Sequence, residues 1–208
     1  MVAGIAAIVG ASVAIGLNAV VMFAPPAGAP GLVSYPQSVD AYRAGQIVFA
    51  ITQLLMGFGL LAMVRSGLAR PGRLRSFGGG LAIVGWALTV PGELIVGLVA
   101  DAPSDSDSAN IATAVYGIAV VVADIGLILF GISALQGRGW AMPWRLLPLA
   151  LGAFQLLVVT PVLIAIGFIG VPAFIVIFVQ DALVALIGVA LIRSASLPPL
   201  PPRARVDG

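Results

Sequence analysis

Apolar residues fall in six long runs separated by short polar segments. The runs cover approximately 1–23, 44–64, 77–100, 111–135, 146–169 and 171–192. Each is close to the roughly 20 residues that cross a ~30 Å hydrocarbon core at ~1.5 Å per residue. An open strand in lipid would leave backbone groups unpaired, and a barrel would read as alternating segments of about ten residues. The pattern therefore predicts an all-α, polytopic membrane bundle of six transmembrane helices spanning 1–195.

The segments between the runs set an orientation. Arg65, Arg70, Arg73 and Arg75 lie between the second and third runs, and Arg138 and Arg145 between the fourth and fifth. Arg193, Arg203 and Arg205 lie at or after the end of the sixth. Nine of the ten arginines thus fall on one side, while Asp40, Asp101, Asp105 and Asp107 fall on the other with Arg43. The positive-inside rule places the arginine-rich side, and both termini, in the cytoplasm of a cell-membrane protein. Ala27-Gly28-Ala29 has the look of a signal-peptidase site. The apolar run before it carries no basic residue and exceeds the 7–15 residues of a signal-peptide core, so a retained first helix is expected.

Composition agrees with the pattern. Of 208 residues, 61% are hydrophobic and 9% charged, against about 25% charged in a soluble domain. All basic residues are arginine, and the Ala/Gly/Pro-rich usage suggests a bacterial source. The net charge of +2 adds little. The segment 101–110 reads as a solvated acidic loop. It lacks the glycine and terminal glutamate of a calcium loop, so no metal is expected. The segment 196–208 reads as a disordered, proline-rich cytoplasmic tail, despite a PxxPxR pattern at 198–203.

A weak repeat suggests three related hairpins. Gln53 precedes Arg65 by twelve residues, Asp124 precedes Gln136 by twelve, and Asp181 precedes Arg193 by twelve. Twelve residues span ~18 Å of helix, close to mid-bilayer.

Three ionisable side chains interrupt the spans: Glu93, Asp124 and Asp181. A central charge costs roughly 2.5–3.5 kcal/mol on insertion scales. The thirteen Leu, Ile, Val and Phe residues of the fourth run outweigh it at ~0.3–0.6 kcal/mol each. The acids must then face the interior, without basic partners, where desolvation favours their neutral form. Small residues line the same faces. Gly117 and Gly131 flank Asp124, Ala185 and Gly188 follow Asp181, and Gln46 and Gly57 flank Gln53. Such stripes allow close helix approach and interhelical hydrogen bonds. Glu93, Asp124, Asp181 and Gln53 are the leading candidates for a solute- or proton-binding centre, with Asn18, Gln155 and Gln180 behind them. Pro91-Gly92 and Thr160-Pro161 could loosen two helices near this centre.

Missing residue types narrow the chemistry. Without histidine there is no bis-histidine haem, HExxH zinc site or His-assisted serine catalysis. Without cysteine or lysine there is no thiol nucleophile, Schiff base or Walker phosphate loop. No catalytic residue, cofactor or nucleic-acid partner is indicated. The balance leans away from an enzyme and toward binding or transport of a small or amphipathic solute or lipid. A purely structural membrane subunit is the alternative. Intramembrane acid catalysis on an apolar lipid or isoprenoid is a second one.

With these positions placed, the chain resembles a group of uncharacterised bacterial six-helix membrane proteins that share a domain of unknown function. The likeness rests on an acid in helix three (Glu93) and an acid in helix four (Asp124). It also rests on an R-x-x-x-P-x-W-like loop at 138–144 and on Pro172 opening helix six with Asp181 at its middle. Gln53 departs from the pattern, standing where an acid is expected. The resemblance implies the six-helix topology and no particular activity.

Overall fold

The computed structural model describes residues 1–137 and 139–195. The tail at 196–208, with Arg203 and Arg205, and Arg138 lie outside the described residues. Among those described, the chain is helical, with six spans long and apolar enough to cross a membrane. The first four are α1 (Val2–Phe23), α2 (Val39–Arg65), α3 (Arg73–Leu98) and α4 (Asp107–Gln136). The fifth, Trp144–Ile166, is composite. A 3-10 turn (Trp144–Leu146) leads into α5 (Leu147–Phe154), a π-helical segment (Gln155–Val159) and α6 (Thr160–Ile166). The sixth span is α7 (Val171–Ala195).

α2, α3 and α4 start four or five residues earlier than their apolar runs, and polar residues cap two of them, α2 and α4. The Ser38 hydroxyl accepts from the Ala41 N–H at 3.3 Å, with Asp40 in the first turn of α2. Ser106 accepts from the Ala109 N–H at 3.3 Å, so Asp107–Asn110 is helix rather than loop. Such caps satisfy otherwise orphaned N–H groups, and an acid in the first turn complements the helix dipole. The interruption in the fifth span also has a local cause. Pro161 has no N–H for the Leu157 carbonyl, and its ring would crowd that carbonyl in a regular α-turn. The helix widens just before it, and the Thr160 N–H reaches back five residues to the Gln155 carbonyl.

The spans close into a ring. α1 packs on α2, α2 on α3, α3 on α4, α4 on α5, α5 on α7, and α7 back on α1; α2 also touches α7. Small residues make the approach possible. On α1, Ala7, Ala11 and Ala14 are buried while Ile5, Val9 and Val13 are exposed. This distribution, small inside and bulky outside, suits a bundle solvated by lipid. Gly78, Gly85 and Gly92 recur every seven residues along α3 and meet Phe130, Ala123 and Tyr116 of α4. A Cβ on Gly78 would stand 2.6 Å from the Phe130 nitrogen. Gly4 of α1 and Gly188 of α7 face each other, and a Cβ on either would come 2.6 Å from the other's carbonyl oxygen.

The loops tie the hairpins together at each end. At one end Val33 and Ser34 donate backbone N–H groups to the carbonyls of Ala102 and Ala100, both at 3.0 Å. Arg43 and Asp101 form an exposed ion pair at 3.1 Å there. At the other end the Ser133 hydroxyl donates to the Arg70 carbonyl at 3.0 Å, and the Arg70 N–H to the Ser133 carbonyl at 3.1 Å. Leu68, Ala69 and Trp140 are buried in this second junction. The Arg145 guanidinium donates to the Gly137 carbonyl at 2.7 Å, and that of Arg193 lies 5.1 Å from the Trp144 ring centre.

Candidate functional site

Glu93 stands on α3 one residue after the Pro91-Gly92 pair. Gly92 lets α4 come close enough for Tyr116 to pack beside it: a Cβ there would meet the Tyr116 ring at 2.8 Å. The Tyr116 hydroxyl donates to Glu93 Oε1 at 2.9 Å, and Gln53 Nε2 of α2 donates to the same oxygen at 3.4 Å. Three helices thus converge on one carboxyl group that is only 8% exposed. The Trp86 indole N–H donates to the Gln53 backbone carbonyl at 3.0 Å. That bond fixes α2 against α3 two turns from Glu93.

The network continues along α2 and across to α7. Tyr42 and Gln46 lie one turn apart and interact through their side chains, and Gln53 follows two turns later on the same face. Gln46 packs on α3 at Gly97, one turn beyond Glu93. Glu93, Asp181 and Tyr42 all lie within electrostatic reach of the Tyr116 hydroxyl. Glu93, Gln53 and Asp181 therefore join one neighbourhood.

Asp124 does not join it through any hydrogen bond among the described residues. Its side chain is fully buried, its backbone faces Gly152 of α5, and neither carboxyl oxygen has a partner among the described residues. Gln155 is 6% exposed at the start of the π segment, with Oε1 likewise unpartnered. Asn18 turns back on its own helix, donating to the Ala14 carbonyl at 3.0 Å. Gln180, next to Asp181, is half-buried.

Tyr116, Tyr42 and Gln46 complete the neighbourhood, and residue chemistry in the spans did not single them out as site residues. A signal was present. Tyr42, Gln46 and Gln53 are spaced i, i+4, i+11, which is one helical face. Tyrosine carries little weight in a hydropathy reading, because its ring counts as apolar and its hydroxyl is overlooked.

The unpartnered atoms share one character. Gln46 Oε1, Gln53 Oε1 and Asp181 Oδ2 are buried without a hydrogen-bond partner among the described residues, and all are acceptors. No arginine among the described residues is ion-paired to Glu93, Asp124 or Asp181; the ion pair is Arg43–Asp101. No set of three ligating side chains converges as a metal site among the described residues.

The neighbourhood has an approach from the side. A crevice of about 230 Å³ runs between α2 and α3, lined by Gln53, Gly57, Phe58, Trp86, Ala87 and Val90 among others. It is apolar except at Gln53. Pro91 has no N–H to give the Ala87 carbonyl, so α3 lacks one regular helical hydrogen bond beside the crevice. No family model, curated protein or solved structure matches the chain.

Proposed function

We propose that this multi-pass protein resides in the cell membrane with its arginine-rich face and both termini in the cytoplasm, and that it binds or moves a small amphipathic solute drawn from the lipid. The observation that carries this reading is the α2–α3 crevice. Its apolar walls suit a hydrocarbon tail, and it ends on Gln53, whose amide is bonded to Glu93. Ligand sites commonly combine mostly apolar walls with a few placed polar groups. Buried carboxyls within spans are costly and mark functional sites more often than not. Glu93, Gln53 and Asp181 are the proposed binding residues. Asp124 reads better as a packing residue, since it abuts Gly152 and bonds to none of the others.

The test uses Trp86, which lines the crevice. In a Trp140→Phe, Trp144→Phe background, Trp86 is the remaining tryptophan. A bromoalkyl amphipath is titrated into protein held in lipid nanodiscs. Saturable quenching is expected, and it should vanish in Gly57→Leu, which fills the crevice against the Trp86 ring. Quenching that rises linearly with partitioning, and equally in Gly57→Leu, overturns the reading.

A further inference from the structure

The hydrogen-bonding capacity left unspent around Glu93 bears on the class of ligand. Around Glu93 three donor groups are engaged. Tyr116 and Gln53 both give to Oε1, and Trp86 gives to the Gln53 carbonyl. Buried acceptor capacity is left over. Gln46 Oε1, Gln53 Oε1 and Asp181 Oδ2 are buried and unpartnered among the described residues, with Gln46 9% and Asp181 4% exposed. A glutamine oxygen has two lone pairs, a carboxylate oxygen likewise, and neither can donate when the acid is ionised. The site also holds two carboxyl groups that no described arginine pairs. An anion would meet two acids and no arginine paired to them among the described residues.

A primary ammonium reverses each deficit. It carries three N–H donors and no acceptor, and its positive charge favours the ionised form of an acid beside it. A charged group taken out of water is tolerated only when paired and hydrogen-bonded, and here the pairing would be mutual. The apolar crevice leading to Gln53 accommodates what must accompany the ammonium, a hydrocarbon chain. We infer that the site is built for a lipophilic primary amine, with its ammonium held by Glu93, Asp181, Gln46 and Gln53 and its chain in the α2–α3 crevice. This rests on the crevice reading above and adds the identity of the polar end.

The experiment compares three probes of equal chain length: dodecylamine, dodecanol and dodecanoic acid. Each is titrated against the Trp86-only protein in nanodiscs at constant lipid, in competition with the bromoalkyl amphipath, and relief of Trp86 quenching is read. Dodecylamine is expected to saturate about tenfold or more tighter than the alcohol, the ratio worth one charge-assisted hydrogen bond. Dodecanoic acid is expected to bind weakest. Glu93→Gln and Asp181→Asn should each bring the ratio of amine to alcohol affinity close to one. Elution with the parent on size-exclusion chromatography shows that these variants fold. If amine and alcohol bind equally and neither variant matters, the crevice stands and the ammonium assignment falls. If the acid binds tightest, the assignment falls as well. If none of the probes saturates, the crevice reading itself is overturned.

Discussion

Asp124 and Glu93 are the same kind of group in two different situations. Glu93 is reached by donors from two other helices. Asp124 is more deeply buried and has no partner for either oxygen among the described residues. An unsatisfied buried polar group costs about 1–3 kcal/mol. Asp124→Ala removes that cost and little packing volume, so it should leave stability unchanged or raise it. Thermal unfolding in detergent measures this. A loss greater than about 1 kcal/mol would mean that Asp124 has a favourable partner and is more than a packing residue. Glu93→Ala is the contrast. It strands Tyr116 and Gln53 as buried donors and should destabilise by about 1–3 kcal/mol. From the sequence the two acids looked alike, because each interrupts an apolar run without a basic partner at comparable depth. The distinction depends on Tyr116 of the neighbouring helix, which no intrahelical pattern points to.

At the scale of elements, glycine spacing sets where helices touch. Gly85 lies against the Ala119–Ala123 backbone of α4, whereas nothing lies within 4 Å of the position a Cβ would take on Gly80, in the same helix. Gly85→Ala must push α3 from α4 and should cost about 1–3 kcal/mol, as overpacking does. Gly80→Ala should gain about 0.5–1 kcal/mol through helix propensity alone. Paired denaturation curves of the two variants check the sign of each. Equal effects would mean that the α3–α4 seam is not the close contact described. The existence and number of spans were legible because hydrophobic runs of the right length allow one structure in lipid. The seam was legible in part: Gly78, Gly85 and Gly92 are a visible heptad stripe. Helix starts were misplaced inward where caps are polar, since Ser38 and Ser106 carry no hydropathy signal.

The whole molecule segregates its charge. Arg65, Arg70, Arg73, Arg75, Arg145 and Arg193 gather at the end where the 66–72 and 137–143 loops interlock. Asp40, Asp101, Asp105 and Asp107 gather at the other, with Arg43. The absence of cysteine from the chain makes single-cysteine labelling clean. Ser104→Cys should react with a membrane-impermeant maleimide in intact cells, and Ser66→Cys only after permeabilisation. The opposite pattern would invert the orientation. This arrangement was readable from arginine positions alone. The order of the spans around the ring was not, because it is decided by which small-residue faces meet, as Gly4 meets Gly188 across 184 positions of sequence (188 less 4).

The widened turn at Gln155–Val159 has a consequence for how this chain tolerates change in length. A π turn accommodates one residue more than an α turn, and such turns behave as single-residue insertions stored in place. The surplus sits where Leu157 and Val158 face outward, between the buried Gln155 and Val159. In a Pro161→Ala background, which removes the cause of the widening, deleting Leu157 should therefore be absorbed by reversion to a regular α-turn, with α6 and α7 keeping their alignment. The same deletion in α3, at Leu88, has no slack to draw on. It would rotate Glu93 by about 100°, the step of one residue in a 3.6-residue turn, away from Tyr116 and Gln53. Folded yield on size-exclusion chromatography separates the two: the Leu157 deletion should elute as the parent does and the Leu88 deletion should not. Equal loss in both would show that the fifth span holds no spare residue.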